Sequence, residues 1–363
     1  MSEFNQKISA IRQLMEKRKL QAIYLRRNSS FAWATCGAHS YINTAATDGV
    51  AALLVTEQDQ YLITNTIEAP RLEKEEKLVE QGWKFQVSPW HAASMLVEQL
   101  SQGMKLGADL PFPGAEDVAG EISRLRVNLL PIEVERVRTL GGLCAEAMDK
   151  TIRAVKPGQS ENEIAARLAF EAQSRGAQPI VNLIATDERI FNYRHPLPTS
   201  KKMERYAMLV LCGRRQGLVC SITRLVYFGT LPADLRKKSE AVAQIDATFI
   251  SATRPGVKLN EVFQRAVAAY ASSGFADEWR LHHQGGPAGY EPRECVATPE
   301  VTDTVAVGQV YAWNPSITGT KSEDSVLVGE KNNEVLTVIP GWPVLAAEVA
   351  GQVIPRPAIL EIK

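Results

Sequence analysis

The sequence has no pattern of cysteines that would form a disulfide framework or a zinc knuckle. Its five cysteines are odd in number and scattered along 363 residues, and none belongs to a CxxC pair. Disulfide scaffolds and cysteine-based zinc sites need paired, regularly spaced cysteines. We therefore expect free thiols and a cytoplasmic location.

The sequence also has no excess of positive or negative charge and no long apolar run. Lys plus Arg and Asp plus Glu each number 41, so the formal net charge is zero. Without a global basic field we expect neither nucleic acid nor an anionic membrane as a partner. No run approaches the roughly 18 apolar residues of a membrane span. The charged, amphipathic first 21 residues do not resemble a signal peptide.

The length of the chain predicts two domains, because 363 residues exceed one ordinary hydrophobic core. Residues 1–130 alternate between helical and strand periodicity, as in a small α/β layer structure, with one helix predicted over residues 92–102. Residues 131–363 open on two amphipathic helices, the second with Ser160 as its N-cap, and then mix helices with strands, two of them predicted at Leu218–Phe228 and Val310–Trp313. This second pattern is typical of an α+β domain.

Four segments of the second domain occur in an order that matches a known family. They are VKPGQSENEIA (155–165), Gly217 followed by SITRLVYFG (221–229), HHQGGPAGYEPRE (282–294) and VGQVYAWNPSITGTKSEDSVLV (307–328). With them, residues 131–345 resemble the family of methionine aminopeptidase, prolidase, aminopeptidase P and creatinase, peptidase family M24. The third segment is similar to the family's "GHGiG...HE.P" motif, with His283 at the ligand His. The segment LRRNSSFAWATCG (25–37) is similar to the N-terminal domain of the creatinase and prolidase branch. The resemblance implies a creatinase-like α/β domain followed by a pita-bread α+β domain.

The resemblance also implies a dinuclear metal site, but most of its ligands are missing. The family uses two Asp, one His and two Glu, which suit divalent ions that activate water. Here the first Asp position reads Val210, or Cys212 if the alignment slips locally, the second reads Ser221, and the first Glu position reads Asn314. Only His283 and Glu323 match. We therefore predict no stoichiometric metal and no other cofactor.

Loss of the metal ligands does not exclude catalysis in this family. Creatinase, as the resemblance implies, hydrolyses a C–N bond without metal and uses His and Glu side chains. We predict His195, His283 and Glu323 as catalytic residues, with His195 as general base, because imidazole titrates near neutral pH. The alternatives are a core histidine for His283 and an ion pair with Arg224 or Lys321 for Glu323. We interpret the neighbouring His282 as structural.

Several further side chains are candidates for binding a substrate. In the second domain they are Tyr290, Glu291, Asn314 and Arg224. In the first domain, Arg27 lies in a polar and aromatic stretch that we interpret as a loop, and the resemblance implies that this loop closes the site of a partner subunit. An Arg there would suit a substrate carboxylate.

Three functions remain open from the sequence alone. The first is a metal-independent hydrolase of a C–N bond in a small amide, amidine or guanidine substrate. The second is a non-catalytic binding protein, a pseudoenzyme that keeps the old pocket. The third is an Xaa-Pro metallopeptidase with rearranged ligands. In each case we expect a homodimer with a small-molecule ligand.

Overall fold

The computed structural model describes all 363 residues, and they form two compact units. One unit comprises Met1–Val127 with the turn Gln216–Leu218, and the other comprises Asn128–Arg215 and Val219–Lys363. None of the helices is both long enough and apolar enough to cross a bilayer.

The first unit is a mixed six-stranded sheet with helices packed on it. The strands lie in the order β4-β3-β2-β1-β5-β6. They are β1 (Ala22–Arg27), β2 (Asp48–Thr56), β3 (Gln60–Asn65), β4 (Lys84–Ser88), β5 (Leu106–Ala108) and β6 (Glu116–Asp117). The helices are α1 (Glu3–Arg18), α2 (Asn28–Ala34), α3 (Ala69–Lys74), α4 (Leu78–Gln81), α5 (Leu96–Leu100) and α6 (Ala119–Arg126).

Two local interpretations of this unit were wrong. The stretch after Arg27 is helix α2 rather than a loop, and each of its residues, including Trp33, is buried. A helix predicted over residues 92–102 is only the short α5. Residues 89–95 are all exposed, and a short helix without a buried face has little to stabilise it.

The second unit contains two four-stranded sheets, two hairpins and five helices. One sheet has the order β18-β9-β8-β7 and the other β10-β11-β14-β15. The strands are β7 (Gln178–Thr186), β8 (Tyr206–Arg215), β9 (Leu218–Phe228), β10 (Gly285–Ala288), β11 (Val310–Trp313), β12 (Ser316–Ile317), β13 (Thr320–Lys321), β14 (Asp324–Leu327), β15 (Glu334–Val335), β16 (Val344–Val349), β17 (Gln352–Pro357) and β18 (Leu360–Ile362). The helices are α7 (Pro131–Ile152), α8 (Glu161–Gln173), α9 (Glu188–Asn192), α10 (Ala233–Ala252) and α11 (Leu259–Ser272).

Local sequence signals account for the start of the first two helices of this unit. Pro131 opens α7, where its missing N–H costs no intrahelical hydrogen bond. Ser160 caps α8 through a reciprocal capping box with Glu163. The N-cap interaction predicted for Ser160 is therefore present.

The two sheets of the second unit meet where the candidate residues lie. Thr223 of β9 forms an isolated backbone bridge with Glu323, which immediately precedes β14. His282 and His283 lie between a 3₁₀ turn, Glu278–Leu281, and β10. His195 follows α9. The sheets therefore hold Glu323 rigidly and present the histidines from loops.

Candidate active site

Three histidines lie together at the site. Nε2 of His282 is 3.0 Å from Nε2 of His195, and the rings of His282 and His283 stack with centroids 4.5 Å apart. The centroids of His195 and His283 are 5.5 Å apart. His195 and His283 are exposed, whereas His282 is 8% exposed. Two imidazoles therefore face solvent, and one buried imidazole supports them.

Glu323 lies beside these histidines, and both of its carboxylate oxygens have protein partners. Its Oε1 accepts a hydrogen bond from Nη2 of Arg293 at 2.9 Å. Its Oε2 lies 2.8 Å from Nζ of Lys321 and accepts a hydrogen bond from the hydroxyl of Thr223 at 2.5 Å. Both carboxylate oxygens are thus occupied, so Glu323 orders two cations and has no free oxygen to take a proton from a substrate.

The charges around Glu323 fix its ionisation. Burial disfavours the charged carboxylate, but the Lys321 ammonium and the Arg293 guanidinium outweigh that effect and hold the pKa of Glu323 at about 2. Glu323 is therefore ionised throughout the neutral range, as an anchor for the two cations requires.

The same surroundings keep the histidines neutral. Burial, reinforced by Lys321, lowers the pKa of His282 to about 2. Burial and the Arg293 guanidinium lower the pKa of His283 to about 4, and burial with Lys321 lowers that of His195. A neutral imidazole has a free lone pair, so His195 can serve as a proton acceptor at pH 7, whereas His282 and His283 have pKa values so low that they stay neutral there.

The guanidinium of Arg293 spans two positions at which the sequence comparison places metal ligands. Its Nη1 donates to Oγ of Ser221 at 3.3 Å, and its Nη2 donates to Glu323. Ser221 stands at the second Asp position of the family motif, and Glu323 stands at the last Glu position. A side-chain cation therefore lies between residues that would flank a metal ion.

The remaining two positions at which the family has metal ligands provide no strong donor atom for a metal ion. Val210 is 3% exposed and packs in an apolar cluster with Leu183 and Met208. The amide oxygen of Asn314 is buried and has no protein hydrogen-bond partner, but it is a neutral, weak ligand. Two dications need several carboxylates in a partly dry site. A dinuclear metal centre does not fit this donor set.

The predicted substrate-binding residues of this unit are placed differently from one another. The hydroxyl of Tyr290 donates to buried Glu133, and its side chain is 2% exposed. Glu291 is half-buried at the next position. Arg224 is 3% exposed, and its Nη2 donates to Asp324. The contacts of Tyr290 and Arg224 describe structural roles, and their substrate-binding roles stay predictions.

In the first unit, the side chain of Arg27 is held by its own domain. Its Nε donates to the carbonyl oxygen of Asp109 at 3.0 Å, and its backbone N–H donates to the carboxylate of the same residue. The residue is half-buried. Its proposed contact with a substrate remains a prediction.

Sequence reasoning did not assign three residues to the site. It interpreted His282 as structural, named Lys321 only as an ion-pair partner, and left out Arg293. The signal for Arg293 was available, because a charged residue stands at the position of the proline in the family's "HE.P" motif. A buried Glu323 without its metal needs compensating cations nearby, and this requirement points to Arg293 and Lys321.

Comparison with known proteins places this architecture in a family. Residues 135–330 match the model of metallopeptidase family M24, and residues 7–127 match that of the creatinase/prolidase N-terminal domain. The prolidase structure from Pyrococcus horikoshii OT3 is similar, with a TM-score of 0.78, 20% identity, and coverage of 92% of this chain and 98% of that chain.

Two curated relatives are similar over parts of the sequence. An Xaa-Pro dipeptidase from Pyrococcus furiosus is 25% identical over 235 residues, which are 62% of this chain and 66% of the relative. An agropine synthesis cyclase from Rhizobium rhizogenes is 34% identical over 140 residues, 36% of this chain and 35% of the relative. Each match covers less than two thirds of the relative's own length. The match to the M24 model spans more than half of the sequence, and the chain belongs to metallopeptidase family M24.

Proposed function

We propose that this chain is a metal-independent hydrolase that cleaves a C–N bond in a small amide, amidine or guanidine substrate. The observation that carries the proposal is the Arg293 guanidinium between Ser221 and Glu323. It supplies fixed positive charge where the family motif would place metal. With Lys321, it stabilises negative charge that develops on a substrate oxygen or nitrogen.

The histidines supply the proton transfer in this proposal. His195 acts as the general base for an attacking water, because it is exposed and neutral at pH 7. His282, whose Nε2 lies 3.0 Å from that of His195, orients the ring through this contact. His283, also exposed, positions the water or the substrate.

Metal removal tests the independence from metal directly. We expect protein dialysed against a chelator to keep its fold and its turnover, and to contain no stoichiometric Mn, Co, Zn or Fe. The physical reason is the missing carboxylate charge at Val210, Ser221 and Asn314. Elemental analysis and circular dichroism, before and after chelation, check the expectation. Two bound equivalents of metal per chain, with activity that is lost when they are removed, would contradict the proposal and favour a metallopeptidase.

The substrate class is tested with a panel of small amides, ureas, amidines and guanidines and with Xaa-Pro dipeptides, using chelator-treated protein. We expect turnover of a non-peptide member and its loss in Arg293→Gln. The exposed Arg138→Gln serves as the matched control, since Arg138 pairs with Glu334 at the surface. Binding without turnover of any member would favour a non-catalytic binding protein.

A second function is favoured by the agropine synthesis cyclase relative, the most identical of the relatives described above. Ring closure and hydrolysis need the same general base and differ in the nucleophile, which is a group of the substrate in one case and water in the other. Mass spectrometry of the products separates them, because hydrolysis adds a water to the products and an intramolecular attack does not.

We also propose that the protein is a cytoplasmic homodimer. The creatinase-like two-domain layout, in which Arg27 would serve the partner's site, supports this proposal. We expect light scattering to give about twice the 39.9 kDa of one chain. A mass of one chain at micromolar concentration would contradict it.

A further inference from the structure

The three histidines have a geometry that suits a different metal site from the one the family uses. Their ligand nitrogens all lie within 4.8 Å of one another. We propose that His195, His282 and His283 bind a single borderline transition-metal ion such as Zn²⁺. This inference goes beyond the proposed function, because the ion would be a ligand of the protein and not its catalyst.

The distances are close to those that such an ion needs. Two nitrogens bound tetrahedrally to one zinc ion at about 2.0–2.1 Å lie roughly 3.3 Å apart, and Nε2 of His195 and Nε2 of His282 are 3.0 Å apart. His283 and His195 are exposed, so small rotations of their rings can bring the third nitrogen into reach. Three protein ligands leave an open fourth position for water.

The buried member of the cluster directs one nitrogen at its neighbour. His282 is 8% exposed, and its Nδ1 is buried with no protein hydrogen-bond partner. Its other nitrogen faces only another imidazole. The two rings meet edge to face at 67°, so the Nε2 of His282, and not its Nδ1, is the nitrogen directed at His195. A metal ion bound between the two Nε2 atoms would take the place of the proton that they share.

The donor set selects the class of ion. Three imidazoles favour Zn²⁺, Cu²⁺ and Ni²⁺, whereas Mg²⁺ and Mn²⁺ prefer oxygen ligands. Lys321 and Arg293 carry positive charge beside the cluster, and Glu323 offsets only part of it. We therefore expect moderate affinity and release of the ion by a chelator.

The cluster shares only His283 with the family's dinuclear ligand set, so a substitution at another of its histidines can distinguish the two sites. His282 stands at a glycine position of the family's "GHG" motif, so it is no part of the dinuclear ligand set. An ion that depends on His282 is held by the three-histidine cluster, and an ion that does not depend on it is held elsewhere.

The test titrates Zn²⁺ into chelator-treated, full-length protein by calorimetry, with Mn²⁺ as the comparison ion. We expect one equivalent of Zn²⁺, no comparable binding of Mn²⁺, and affinity at least about tenfold weaker in His282→Gln, the size of loss seen for supporting residues of metal sites. His91→Gln, which changes an exposed histidine of the first unit, should bind as the wild type does.

Wild-type affinity in His282→Gln, or preference for Mn²⁺, would overturn the proposal. If circular dichroism shows that His282→Gln is unfolded, His195→Gln and His283→Gln carry the test, since both side chains are exposed and each should weaken Zn²⁺ binding. Binding depends on no substrate, so this result is independent of the hydrolase. Where turnover is measured, one equivalent of Zn²⁺ should inhibit it, because the ion occupies His195.

Discussion

His195→Ala is expected to lower kcat by about 10²–10⁴-fold, the range that a positioned general base contributes. The free energy of unfolding should change little, by about 0.5 kcal/mol or less, because the side chain is exposed. Steady-state turnover of the first substrate found in the panel, with urea unfolding of both proteins, checks the two halves of the expectation.

The pH profile separates a base from a residue that merely shapes the pocket. The pKa of His195 is lowered below its usual 6.5. The wild type should therefore keep full activity at pH 7 and lose activity as the pH falls below the lowered pKa of His195. His195→Ala should lack this acidic limb. His91→Ala is the matched control, and near-wild-type turnover in His195→Ala would remove His195 from the mechanism.

Glu323→Gln is expected to destabilise the second unit by about 3–5 kcal/mol, the cost of removing one partner of a buried ion pair. The substitution leaves Arg293 and Lys321 buried without their shared counter-charge. Urea unfolding at pH 7 measures the loss. Glu334→Gln is the control, because that carboxylate is 47% exposed beside Arg138, and exposed pairs contribute about 0–1 kcal/mol.

The sign of the pH dependence follows from the lowered pKa of Glu323. Its folded pKa of about 2 lies below its unfolded value, so the carboxylate stabilises the fold fully above about pH 5 and loses that contribution as pH falls toward 2. The stability difference between wild type and Glu323→Gln should therefore shrink on acidification. A difference that is constant from pH 7 to pH 3 would show that Glu323 does not act through its charge.

The expectations for His195→Ala and Glu323→Gln give different roles to two residues that were both predicted from the sequence to be catalytic. His195 faces solvent with a free capacity for protons, whereas Glu323 is buried with both oxygens occupied. Loss of activity without loss of stability is expected for the first, and loss of stability for the second. Arg293 links the two, because it depends on Glu323 for its position and provides charge to the site.

The architecture was accessible from the sequence because periodicity and turn signals are local. The bounds predicted for the strands Leu218–Phe228 and Val310–Trp313 agree with the structure, and Ser160 forms the predicted cap. The four motifs identified the family for the same reason, since each is a short run of residues that the fold requires in order.

The absence of most metal ligands could also be predicted from the sequence, because each ligand of the family is a defined residue type at a fixed position in a motif. Val210, Ser221 and Asn314 lack the charge that a dinuclear centre needs. The sequence by itself determined that three of the family's five ligand positions hold other residue types.

Only the tertiary structure decided what replaces that chemistry. Arg293 and Glu323 are 30 residues apart in the chain, and His195 and His282 are 87 apart, yet each pair is in contact. Contacts between residues so far apart in the chain depend on how the sheets and loops pack together, and no local sequence pattern predicts that packing. The sequence named His195, His283 and Glu323 as candidates, and the packing of the chain determined that His195 and His283 are exposed while both oxygens of Glu323 are occupied by Arg293, Lys321 and Thr223.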